Sequence, residues 1–119
     1  MSGNFYNNGQ VCSNCTRVFV DESIMNEFLA EFKRRVGEII DNKSIGSAVD
    51  EKTIIGPIVT EQHQHRIANH IDKAKQDSSN TLVIGGNTYE RNGGFYVEPT
   101  IFHCSRDGAD IVREVSERE

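Results

Sequence analysis

Three cysteines and four histidines hold most of the nucleophilic and metal-ligating capacity of this chain. Cys12 stands out by its neighbours. It follows Gly9-Gln10 and precedes Arg17 and the run Val18-Phe19-Val20. A cysteine just after a Gly-Gln pair sits where the backbone turns sharply and leaves amide N–H groups unpaired. Such groups stabilise a thiolate, or the oxyanion that forms when a thiolate attacks a carbonyl. Only about a few per cent of an ordinary thiol is ionised at neutral pH, so a nucleophilic role needs local activation. Taken alone, a single cysteine reads more often as a small buried apolar residue.

Cys15 completes Cys12-x-x-Cys15, a spacing that suits a redox disulfide or half of a zinc site. A tetrahedral zinc needs four ligands. The remainder would come from His63, His65, His70, His103 or Cys104, and none of these pairs has finger-like spacing. His63 and His65 are two apart on a helical stretch and point to different faces, which argues against a metal pair. The expectation is therefore no metal. Gly85-Gly86 and Gly93-Gly94 read as turns, because no Gly-x-Gly-x-x-Gly leads into a helix.

Several elements must position these residues. Thr16–Val20 is β-branched and aromatic and reads as a short strand. Asp21 or Ser23 can cap a helix whose apolar stripe is Ile24, Phe28, Phe32, Val36 and Ile39/Ile40. Gly37 weakens its last turn. Residues 41–52 read as a loop and Gly56-Pro57 as a turn. Thr60 caps a second helix with Ile67, Ile71 and Ala74 on one face. Thr81–Ile84 reads as a short buried strand, 87–94 as a loop, and 95–102 as a strand that Pro99 confines to an edge or breaks. The tail 116–119 reads as disordered. Strands alternating with helices make an α/β pattern.

Composition narrows the function classes. With 119 residues the chain suffices for one small domain but is short for holding both a dinucleotide and a substrate. A net charge of −5 and the lack of a basic patch argue against nucleic acid. Lys33-Arg34-Arg35 lies among glutamates and reads as a solvated helix face. No apolar run is long enough for a membrane span, and Met1-Ser2-Gly3-Asn4 does not open a secretory signal. An odd number of cysteines suits a reducing, cytoplasmic compartment, with mitochondria left open.

Phe5-x-x-x-Gly9-Gln10-x-Cys12, with Arg17 five positions on, resembles the active-site cysteine signature of the NAD(P)-dependent aldehyde dehydrogenases. The wording is most similar to the betaine-aldehyde and trimethylaminobutyraldehyde branch. Ile55-Gly56-Pro57-Ile58-Val59, Val83-Ile84-Gly85-Gly86, Gly94 to Thr100, Cys104-Ser105-Arg106-Asp107 and Ile111-Val112-Arg113-Glu114 follow in the family's order. The resemblance implies an α/β fold, an incomplete open sheet flanked by helices. It spans a partial catalytic domain over 1–114, and a divergent polar tail follows over 115–119.

The resemblance further implies oxidation of a small aldehyde to a carboxylate with NAD or NADP, through a thiohemiacetal and a thioester on Cys12. The Cys12 backbone N–H would be an oxyanion donor, and Val11 and Ser13 would line the substrate tunnel. Gly9 and Gln10 would shape the turn, and Arg17 would brace it. Arg66, at the start of the second helix, would approach the adenosine side of the cofactor, although a solvated helix terminus is the simpler reading. Cys15 stands where the family carries a small residue, often glycine, and a reversible Cys12–Cys15 disulfide is a minority alternative.

The family's nucleotide-binding domain, its general-base glutamate, its second oxyanion donor and its oligomerisation strand are not found in these residues. Val115 stands where the family has the glutamate that holds the nicotinamide ribose. The segment 41–45 also looks longer than the family's spacing. The expectation is a segment inactive alone; the alternative is a non-catalytic remnant or binding module that keeps part of the fold.

Overall fold

A computed structural model describes residues 2–41, 44–105 and 110–113. They fall into two compact units, Met1–Gly56 and Pro57–Glu119.

In the first unit, helix α1 (Ser2–Phe5) runs into a 3-10 turn (Tyr6–Gly9). An irregular segment then leads through a second 3-10 turn (Glu22–Ile24) into helix α2 (Met25–Asp41). Asp21 is the cap: its Oδ1 accepts from the Ser23 N–H at 2.9 Å and from Ser23 Oγ at 2.6 Å. The expected stripe packs Val36 and Ile39, and Phe32 lies against Phe28 and Phe5 with ring centroids 5.5 and 6.3 Å apart. Ile24, at the start of the stripe, stays half exposed. Gly37 does not end the helix, which runs on to Asp41. The exposed face carries Lys33-Arg34-Arg35 as expected, with Arg34 and Arg35 paired to Glu31 and Arg34 also to Glu38. Ile45 and Ile55, both buried, form a parallel bridge that completes this small core.

Two expectations fail in this unit. Thr16–Val20 is not a strand: no segment among the described residues pairs with it, and Val18 and Phe19 lie exposed. High β-propensity makes a strand only where a neighbour supplies hydrogen bonds and a packed face. Gly56-Pro57 is not a turn either. The chain turns at Glu51-Lys52, where Asp50 Oδ1 accepts from the Lys52 N–H at 3.0 Å and the Thr53 N–H donates to Asp50 O at 2.9 Å.

The second unit is built around helix α3 (Glu61–Gln76), capped by Thr60 Oγ1 accepting from the His63 N–H at 3.1 Å. Four strands follow: β1 (Asn80–Ile84), β2 (Thr88–Arg91), β3 (Gly94–Val97) and β4 (Ile101–Cys104). They form two antiparallel ribbons, β1 with β4 and β2 with β3. Helix α4 (Asp110–Arg113) is the last of the described elements. Ile58, Ile71, Ala74 and Tyr96 form the core. The α/β class stands, with its strands arranged as two separate ribbons.

The stretch 87–94 is no loop. Arg91 pairs with Gly94, so only Asn92 and Gly93 form the bend, both with positive φ (51° and 74°). That is the two-residue hairpin turn whose backbone matches strand twist. The strand over 95–102 is broken by Pro99 into β3 and β4. β1 is only partly buried, with Thr81 and Leu82 exposed. Gly85 is required by space as well as dihedral: its φ is +80° and a Cβ there would stand 2.1 Å from Pro99 O. The segment 116–119 lies outside the described residues.

Candidate active site: the Cys12 turn

Three successive residues enter the left-handed region: Asn7 (φ 50°), Asn8 (φ 60°) and Gly9 (φ 81°). Glycine takes this conformation freely, and asparagine more readily than other side chains. The Gln10 N–H bonds back to Asn7 O at 3.0 Å and closes the kink. The chain then reverses a second time, with the Asn14 N–H donating to Val11 O at 2.9 Å. Cys12 and Ser13 occupy the two central positions of this turn, with both side chains exposed. Their N–H groups make no hydrogen bond among the described residues. Val11 and Gln10 are half-buried beside them.

Asparagine side chains hold the loop in place. Asn14 Nδ2 donates to Tyr6 O at 2.9 Å. Asn4 Nδ2 donates to Cys15 O at 2.6 Å, while the Cys15 N–H donates to Gly3 O at 2.8 Å. Both backbone polar groups of Cys15 are thereby clamped to α1. Asn8 Oδ1 accepts from the Gly56 N–H at 2.8 Å, tying the kink to the far end of the same unit. The brace expected of Arg17 is not made among the described residues. Its side chain is exposed without a hydrogen bond or ion pair, and the asparagines do that work. Sequence reasoning passed over Asn4, Asn8 and Asn14. Their signal was available: Asn side chains mimic backbone partners in turns.

The three cysteines are free, Cys12 and Cys15 exposed and Cys104 half-buried. Burial, and secondarily the charge of Asp77, pushes the Cys104 thiol up from its ordinary pKa, which leaves less thiolate there at neutral pH. Arg66 lies exposed on α3 in the second unit. His65 stands 3.9 Å from Glu61 on the same helix, and His63 Nε2 is buried without a hydrogen-bond partner.

Among the described residues, Gly85-Gly86 opens into β2 and Gly93 into β3, and Thr60 caps the N-terminus of α3. A phosphate-binding glycine loop would lead into a helix with its N–H groups free.

The model of the aldehyde dehydrogenase family matches residues 1–115. The betaine aldehyde dehydrogenase of Rhizobium johnstonii is 40% identical over 115 residues, which is 96% of this chain and 23% of that protein. Betaine aldehyde dehydrogenase 1 of Rhizobium meliloti is 41% identical over the same shares. Among solved structures, the betaine aldehyde dehydrogenase of Staphylococcus aureus in complex with NAD+ superimposes with a TM-score of 0.86 at 30% identity, covering 97% of this chain and 22% of that one. The NAD+ complex of an aldehyde dehydrogenase from Bacillus cereus gives 0.85 at 29%, covering 95% and 22%. The chain thus spans under a quarter of the length of these relatives. A match that runs from the first residue through the cysteine turn to residue 115 places the chain in the aldehyde dehydrogenase family.

Proposed function

We propose that this chain carries the nucleophile of an NAD(P)-dependent aldehyde oxidation, and that Cys12 is that nucleophile. The observation behind this is the position of Cys12: exposed at the head of a hydrogen-bonded turn, next to N–H groups without a partner among the described residues. The Cys12 thiolate attacks the aldehyde carbon, and the carbonyl oxygen becomes an alkoxide. The Cys12 N–H donates to that oxygen, as in other oxyanion holes. Val11 and Ser13 flank the incoming aldehyde, and Gly9 and Gln10 fix the bend that presents the thiol. NAD or NADP supplies the hydride acceptor in the whole enzyme. The described residues offer it no glycine loop leading into a helix, and Arg66 is a peripheral contact in this reading. Hydride removal and hydrolysis of the thioester therefore fall to residues beyond this set.

Residues 1–114 form part of the catalytic domain in this reading, and 115–119 a divergent polar tail. Among the described residues no helix is long and apolar enough to cross a membrane. Free thiols suit a reducing compartment such as the cytoplasm. The substrate is a small aldehyde. The relatives named for betaine aldehyde, at 40–41% identity, make it the first to try.

Limited iodoacetamide labelling of the reduced chain with peptide mapping tests the assignment, and Cys12 labels first. Preferential labelling of Cys15 or Cys104 sinks it. Incubated with betaine aldehyde and NAD+, residues 1–119 alone form no NADH. Turnover by the pure chain would overturn the division of labour stated here.

A further inference from the structure

We propose that Cys12 and Cys15 are a reversible redox pair, in which Cys15 resolves oxidised Cys12 and the resulting disulfide shields the nucleophile. The proposal rests on the reading of Cys12 as the nucleophile, and concerns the regulation of that site.

Both thiols are free and exposed, and two residues separate them. Three Cα–Cα steps of about 3.8 Å limit their separation to roughly 11 Å when extended. The Asn14 N–H to Val11 O bond closes a turn with Cys12 at its head, and Cys15 is the first residue past its end. A disulfide requires Cα atoms about 4.4–6.8 Å apart. Ser13 is exposed, so closing that distance disturbs little packing at the turn's head. Cys15 supplies a fixed end, since Gly3 O and Asn4 Nδ2 clamp its backbone on both sides. Cys104 is a poor competitor, half-buried on β4 in the second unit.

Hydrogen peroxide is the oxidant. The Cys12 thiolate attacks one peroxide oxygen, the O–O bond breaks, and the departing hydroxide takes a proton as water; Cys12 is now a sulfenic acid. The Cys15 thiolate attacks the Cys12 sulfur, the S–O bond breaks and a second water leaves. Two thiols lose two electrons to one peroxide, and a dithiol reductant such as dithiothreitol reverses the step by exchange.

The sequence offers a direct readout. Arg17 is the first basic residue of the chain, so trypsin releases residues 1–17 as one peptide holding both cysteines. After one equivalent of peroxide, this peptide should be lighter by two hydrogen atoms and regain them with dithiothreitol, while Cys104 stays alkylatable. In Cys15→Ser the peptide should not cross-link, and excess peroxide should drive Cys12 irreversibly to the sulfinic acid. Cys104→Ser should behave as the parent does. A peptide that keeps both thiols, a cross-link to Cys104 or to a second chain, or equal protection of Cys12 in Cys15→Ser would overturn the proposal. The labelling order of the reduced chain is a separate measurement. Nucleophile and switch can therefore fail independently.

Discussion

The Cys12 turn and the α3 hairpin solve the same problem, holding a bent chain, by opposite means. The turn is tied at the surface, by asparagine amides reaching to the carbonyls of Tyr6 and Cys15. The hairpin is tied from within. Gln64 is buried on α3 and its Nε2 donates to Tyr96 O at 2.8 Å and Tyr89 O at 3.0 Å. Tyr89 stacks on Tyr96 with centroids 5.4 Å apart, and Arg91 lies over both rings. Bonds in water contribute little net free energy and open readily; bonds in a dry core resist, because opening leaves groups unsatisfied. The proposed nucleophile rides on the first kind of support, and the β2–β3 hairpin on the second.

The largest break in this contrast should come from Gly85→Ala. Left-handed φ costs a β-carbon about 1–2 kcal/mol. Here the new carbon also meets the Pro99 carbonyl, so β1 and the segment before β4 must move apart, at a further ~1–3 kcal/mol. Denaturant unfolding should show the second unit losing about 2–5 kcal/mol, with labelling of Cys12 unchanged in rank. A loss below ~1 kcal/mol would mean that the ribbon yields freely there.

Gln64→Leu comes next. It removes two buried hydrogen bonds at similar volume, each worth about 0.5–1.5 kcal/mol net. The expected loss is about 1–3 kcal/mol, measured by the same unfolding curve. No loss would show that the Tyr89–Tyr96 stack alone holds the hairpin to its helix.

Gly9→Ala moves the comparison to the turn. Its φ is +81°, yet the nearest atom to an added Cβ is Asn4 O at 3.8 Å. Only the dihedral term remains, about 1–2 kcal/mol. Because the strain sits next to Cys12, its rate of alkylation should change more than global stability does. An unchanged rate with lowered stability would dissociate the kink from the thiol.

The same contrast explains what was legible in the sequence. Both helices were, because an apolar stripe at helical spacing records which face is buried, and Asp21 and Thr60 announce their starts. The cysteine turn was legible through Gly9-Gln10 before Cys12, but its asparagine ties were not weighed. The hairpin was misread as a loop although Asn92-Gly93 is the strongest dipeptide signal for one. Thr16–Val20 shows the limit of propensity, since a strand is a property of two segments. Gln64 could not have been found: nothing in a helix sequence says that one polar residue will face inward to serve a hairpin 25 to 32 residues away.

The smallest effect separates surface ties on a helix from both of these. On α2, Glu31 accepts from Arg34 and Arg35, and these bonds, that to Arg34 foremost, hold its carboxyl down to about 2 from an ordinary 4.5. A depressed carboxylate pKa stabilises the fold above the unfolded value, and that contribution fades as pH falls from about 4.5 toward 2. The group is exposed, and exposed pairs of this kind are screened by salt. Glu31→Gln should therefore lower helix stability only slightly at pH 7 and low salt. The difference from the parent should vanish both near pH 2 and in about 1 M salt, where the Debye length is about 3 Å. Paired thermal melts across pH and salt would read this. A large, salt-independent loss at pH 7 would mean that the network is shielded from solvent, and the division between surface and interior ties would have to be redrawn for α2.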